Sequence, residues 1–223
     1  MNTTGLDLGG NTDWFGEIIR TGITQNHDLS FSCGGNKNSY RASVSYLDQQ
    51  GVVKDNYQKR LNTRLSFTQK ALKDRLDISL IGAMNQGDYQ PTDTRNFVLA
   101  YNMLPVYPVK LPDGTWYDNM DWDQGNHVRN IEYNTNEHKV DLFYVNLKAD
   151  LKILKNLTAG INVYKERGTT DQSLYQDSQT EEGRNANGFA QRSFSASDKK
   201  LLETTINYTG KTGNHSYGLL GGY

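Results

Sequence analysis

With 24 Lys and Arg against 25 Asp and Glu in 223 residues, the chain lacks the basic footprint that nucleic acid or an anionic membrane surface selects. Only 35% of its residues are hydrophobic and its mean hydropathy is -0.75, low for an ordinary closed core and consistent with burial at alternate strand positions alone. No apolar run reaches the ~18 residues of a transmembrane helix, which leaves open a barrel whose strands need about ten alternating residues.

The opening stretch MNTTGLDLGGNTDWFGE has neither a basic n-region nor an apolar h-region, so no export signal is read there, and the expectation is either a protein that stays inside the cell or a piece of a longer one. Alternation then begins. Leu29, Phe31 and Cys33 alternate with serines, and after GGNKNS the same pattern returns at Tyr40, Ala42, Val44 and Tyr46. Three more hairpins follow by the same rule. Leu61, Thr63, Leu65 and Phe67 lead to Leu76, Ile78, Leu80, Gly82 and Met84; Phe143 to Leu151 leads to Leu157 to Val163; Leu202 to Tyr208 leads to Tyr217, Leu219, Gly221 and Tyr223. Cys33 is a small apolar filler on the Leu29 and Phe31 face, and no Cys/His spacing suggests a metal.

The connections sort by parity. The first, third, fifth and seventh are short (GGNKNS, QKALKD, LKN, TGKTGNH), whereas the second, fourth and sixth span about residues 48–56, 86–139 and 166–192. Tight turns on one rim and long loops on the other are the habit of outer-membrane barrels, not of a Greek-key sandwich. All four prolines fall in the fourth connection, as expected of residues that cannot donate to a ladder. Within it, residues 94–104 are predicted to form a short helix ending before Pro105, and LPDGTWYDN carries a Pro-Asp-Gly turn signal.

The stretches TDWFGEIIRTGITQNHDLSFSCG (12–34) and YRASVSYLDQQGVVKDNYQKRLNTRLSF (40–67) closely resemble the plug-to-barrel junction and first barrel strands of SusC/RagA-type TonB-dependent transporters. AYNMLPVYPVKLPDGTWYDN (100–119) and INYTGKTGNHSYGLLGGY (206–223) resemble the same family in the same order. The resemblance implies an all-β fold: an antiparallel up-and-down meander forming part of a 22-stranded transmembrane barrel with long extracellular loops. It further implies a Gram-negative outer-membrane location, a SusD-like surface lipoprotein, energy from the TonB complex through a plug missing here, and oligosaccharide or peptide cargo. On this reading residues 1–24 are the plug-to-barrel junction with a short helix, and 25–223 are partial barrel. If Leu29, Phe31, Tyr40, Val44 and Tyr46 meet the lipid bilayer, then Ser30, Ser32, Arg41, Ser43 and Ser45 line a wet lumen.

Catalysis is not expected. The histidines His27, His127, His138 and His215 are scattered, and the chain has no nucleophile elbow, HExxH or phosphate-cradling glycine motif. Cargo or partner contact is expected instead at DGTWYDNMDWDQGN (113–126). There Trp116, Tyr117 and Trp122 offer flat apolar faces while Asp113, Asp118, Asp121 and Asp123 offer acceptors; the competing use of these aromatics is the loop's own small core. An EF-hand counted from Asp121 fails, because its glycine falls at the fifth place and not the sixth, so no metal or other cofactor is expected. The alternative from another class is a soluble β-rich carbohydrate-binding module using the same Trp/Asp loop.

Overall fold

The computed structural model describes residues 7–118 and 125–223. A short helix α1 (Trp14–Ile18) precedes strands β1 (Ile23–Gly34), β2 (Asn38–Gln50), β3 (Tyr57–Ala71) and β4 (Leu76–Gln90). Helices α2 (Arg95–Asn102) and α3 (His127–Tyr133) occupy the fourth connection, and strands β5 (Thr135–Leu154) and β6 (Leu157–Gln176) follow. Helix α4 (Glu181–Arg184), β7 (Phe189–Thr212) and β8 (His215–Gly222) complete the chain. The eight strands form one antiparallel sheet in sequence order, β1 to β8. This is the expected meander. A sandwich would need a second sheet, and the described strands make none.

Register follows the alternation. Leu29 faces Val44 and Phe31 faces Ala42; Ala42 faces Leu65; Leu80 faces Leu147; and Val163 faces Leu202. Apolar partners therefore share one side, as period-2 geometry requires. Lys155 and Asn156 alone join β5 to β6, where the pairing shifts between Lys152 and Leu154. The β3–β4 turn runs through three positive-φ residues, Leu72, Lys73 and Asp74 at 54°, 58° and 65°. Each stands in a region that side chains with a Cβ resist.

The strands extend well past the apolar stretches that announce them. The fourth connection shrinks to 91–134 and the sixth to 177–188, because β4, β5, β6 and β7 continue toward the long-loop rim. There the ladder persists while the side chains turn polar: Gln86 faces Asp141 and Lys139 faces Asp171, and Asp171 accepts from Arg192 Nε at 2.9 Å. Backbone pairing does not need an apolar face, so alternation was silent on these extensions.

β1 enters from the same rim as the long connections, which places residues 7–22 among them. Gly10 N donates to Val106 O at 3.0 Å and Thr12 N to Pro105 O at 2.9 Å, laying this segment alongside the fourth connection. On its other side Arg20 N donates to Val52 O at 2.7 Å and Lys54 N to Ile18 O at 3.0 Å. The packed apolar cluster lies here, not on the sheet: Trp14 and Ile18 of α1 against Ala100, Met103 and Tyr107. The expected helix within 94–104 is present as α2, ending at Asn102 with Met103 as its C-cap, before Pro105. The Pro-Asp-Gly turn closes through Gly114 N to Leu111 O at 2.8 Å, with Gly114 at φ 87°.

Candidate functional site

One face of the sheet carries a greasy belt that no other part of the described chain covers. Leu29, Phe31, Leu65 and Leu219 keep 71%, 68%, 65% and 64% of their surface exposed. Water would not tolerate such a continuous patch on a soluble protein. The belt has a defined upper edge, beyond which the same face becomes charged. The apolar run on that face ends at Tyr46 in β2, Leu61 in β3, Met84 in β4, Phe143 in β5, Val163 in β6 and Leu202 in β7, with Tyr57, Tyr175 and Phe194 standing as isolated rings among polar residues beyond it. Above Val163 and Leu202 stand Lys165 and Lys200, which face each other.

That edge crosses the cross-strand rows diagonally. Tyr46 shares a row with Leu61, whereas Val163 and Leu202 share the row of Tyr40, six residues further along β2. Six residues are ~20 Å along the strand and five strand spacings are ~24 Å across it, a slope of ~40°. Strands of transmembrane barrels tilt by about 35–45° to the bilayer normal, so the edge is level with a membrane if the strands are tilted as in such barrels. Along β5 the belt runs from Phe143 to Ile153, ~34 Å of strand, which the same tilt shortens to ~26 Å, the height of an outer-membrane apolar band.

The opposite face is a polar ladder. Arg64 Nη1 donates to Tyr144 Oη at 3.1 Å, Asn146 Nδ2 to Asn162 Oδ1 at 2.7 Å, Asn162 Nδ2 to Glu203 Oε2 at 2.8 Å, and Lys199 Nζ to Glu166 Oε1 at 2.7 Å. Asn85 also donates to Asn62. A surface of this kind is solvated by water, and on it Arg41, Ser43 and Ser45 stand beside Ser66, Arg64 and Asn62.

At the rim, the residues expected to touch cargo do a different job first. Asp121, Trp122 and Asp123 lie outside the described residues. Trp116 donates from Nε1 to Tyr133 Oη at 3.2 Å, meets that ring edge-on at 5.7 Å, and carries Lys110 Nζ 4.0 Å from its own ring centroid. Tyr117 packs on Tyr107 at 4.8 Å and joins the loop's apolar cluster. Asp118 accepts from Arg129, from Arg184 Nη2 at 2.7 Å and from Asn126 N at 3.0 Å. It therefore ties the fourth connection to the sixth. Arg95 reinforces that joint through Glu181 and Glu182.

Sequence reasoning missed α3, although its start is legible: Asn126 caps it, accepting from Val128 N at 3.1 Å and Arg129 N at 3.3 Å. The first residue of that helix, His127, is fully buried against Trp14, ring to ring at 5.0 Å, with Nε2 3.3 Å from Trp14 O. Burial pushes its imidazole down to about 4. The open side of Trp116, with Lys110, Glu132 and Glu17, borders a 480 Å³ cleft between α1 and the fourth connection.

No protein-family model matches the chain. It is 26% identical over 224 residues to TonB-dependent receptor P3 of Formosa agariphila, covering 96% of this chain and 22% of that receptor. To TonB-dependent receptor SusC of Bacteroides thetaiotaomicron it is 29% identical over 133 residues, 52% of this chain and 13% of SusC. Its fold matches the RagAB peptide importer in its closed-closed state with a TM-score of 0.77 at 19% identity, over 97% of this chain and 25% of that one. The chain thus spans about a fifth of the length of its P3 relative.

Proposed function

We propose that this chain, a SusC/RagA-type TonB-dependent receptor segment by sequence and by fold, forms part of the wall of an outer-membrane pore that imports nutrients. The diagonal edge of the apolar belt carries this reading, because only a tilted strand array in a flat hydrocarbon slab needs its polarity to change along a slope. The belt faces lipid, the Arg64 and Asn162 ladder faces a water-filled lumen, and the long connections stand outside the cell. Residues 7–22, packed between the second and fourth connections, belong to that outer rim. Closure of the barrel comes from further strands, since lipid does not tolerate open sheet edges.

The partners in this reading are a SusD-like surface lipoprotein over the rim and the TonB complex below. The likeness to a peptide importer supports peptides as cargo, and the likeness to SusC leaves oligosaccharides beside them. Asp118 is spent on holding loops together, so cargo or lipoprotein contact concentrates on the exposed side of Trp116 above its cleft. The test uses the full receptor with Cys33→Ser and single fluorophore-bearing cysteines at Leu147 or Asn146, reconstituted in vesicles. A nitroxide lipid should quench position 147 strongly and 146 weakly. Equal quenching at the two positions rules the reading out.

A further inference from the structure

Between the second connection, the start of α2, and α3 lies a 300 Å³ pocket lined mainly by residues whose side chains carry oxygen. Asp55, Asp93, Asn96 and Asn130 line it, together with Gln90, Asn134 and several threonine hydroxyls, and no cationic or aromatic side chain does. Two of these residues are deeply buried, Asn96 at 4% and Asn130 at 3% exposed. Asn96 Oδ1, both side-chain polar atoms of Asn130, and Asp55 Oδ1 are buried without a hydrogen-bond partner in the protein. The neighbouring amides are already engaged: Asn134 Oδ1 accepts from Asp177 N at 3.0 Å and Gln90 Oε1 from Asn136 N at 3.4 Å.

Buried acceptors left unpaired are expensive, and three of the four unspent atoms are oxygens. A ring-stacking ligand finds no platform in this pocket and an anion finds no counter-charge. Burial raises the Asp55 carboxyl above its ordinary value and the Asp93 charge adds to this, against the lowering pull of backbone and Gln90 hydrogen bonds and of Arg20. Among the described residues no three His, Cys, Asp or Glu side chains converge, so amide oxygens have to complete any protein ligand set here. Calcium accepts such mixed carboxylate and amide oxygen sets in flexible geometry, whereas magnesium demands a near-ideal octahedron.

We propose that this pocket binds a calcium ion, held by Asp55, Asn96 and Asn130 with Asp93 adding charge, which staples the second connection to α2 and α3 at the outer rim. Water completes the coordination in a pocket wider than one ion and satisfies Asn130 Nδ2. The proposal rests on the membrane reading only in placing the rim in the external medium, where weak sites of about 0.1–1 mM suffice.

The experiment takes the full receptor in detergent after EDTA treatment, checks heat-modifiable migration as the sign of a closed barrel, and follows amide exchange in residues 95–102 and 127–133. Calcium should slow exchange at least tenfold, half-saturating between about 0.1 and 1 mM, with magnesium at least tenfold weaker. Asp55→Asn should raise the half-saturating concentration at least tenfold, and Asn96→Asp, which adds a carboxylate, should lower it. An unchanged titration in Asp55→Asn, or no calcium response in the wild type, overturns the site. Loss of heat-modifiable migration speaks against the closed barrel alone, since calcium binding is read in the same sample either way.

Discussion

Arg129 grips Asp118 through two parallel hydrogen bonds, Nη1 to Oδ2 at 3.0 Å and Nη2 to Oδ1 at 2.8 Å, with 4% of the arginine side chain exposed. The guanidinium is thus buried on the strength of one carboxylate, inside a loop. Asp118→Asn should weaken the folded rim by about 3–5 kcal/mol by leaving that charge unpaired. Arg184, which reaches the same carboxylate from the sixth connection, is far more exposed, so Arg184→Ala should cost about 1 kcal/mol or less. Amide exchange in α3 and proteolysis within 91–134 measure both; equal effects would mean that burial does not set the difference.

The neutral form of His127 is the one the rim accepts. Its folded pKa, about 4, lies below the ordinary 6.5, so between those values the unfolded segment binds more protons than the folded one. The contribution is fully present above pH 6.5 and is lost as pH falls toward 4, at most about 3 kcal/mol. His127→Phe keeps a ring against Trp14 and should flatten the acid dependence of amide exchange in α1 and α3. Persistence of the same acid transition in that variant would assign it to another group.

Charge on the belt should be costly and charge on the ladder face cheap. In the full receptor, Leu147→Arg is expected to reduce folding into vesicles by about 2–4 kcal/mol, while Asn146→Arg, one residue away on the polar face, should change it little. Refolding yield against urea concentration compares them. The contrast vanishes if both faces meet the same solvent.

Docking of the N-terminal segment depends on a glycine for space. A Cβ on Gly10 would lie 2.8 Å from both the Tyr107 carbonyl carbon and the Val106 oxygen, backbone atoms that cannot step aside. Gly10→Ala should therefore break the Gly10 to Val106 and Thr12 to Pro105 hydrogen bonds and release residues 9–13 to proteases. Alanine at Gly218, where nothing lies within 4 Å, serves as the control.

What the chain alone determined is the sheet: alternation at Leu29 to Tyr46 and its three repeats sets which side chains share a face, and loop parity with clustered prolines sets strand order, because both are local consequences of pleat and backbone donors. The strands' true reach was hidden, since above Val163 and Leu202 the outward face passes from aliphatic to Lys165 and Lys200 while the ladder continues unchanged. Only the tertiary structure decided the rim. Asp118 looked like a free acceptor until Arg129 and Arg184 closed on it from 11 and 66 residues away, and Asn96 and Asn130 became a pocket only when α2 met α3. Long-range pairing of polar groups leaves no periodic trace in a sequence, because its geometry is fixed by how loops pack and not by the repeat of the backbone that carries them.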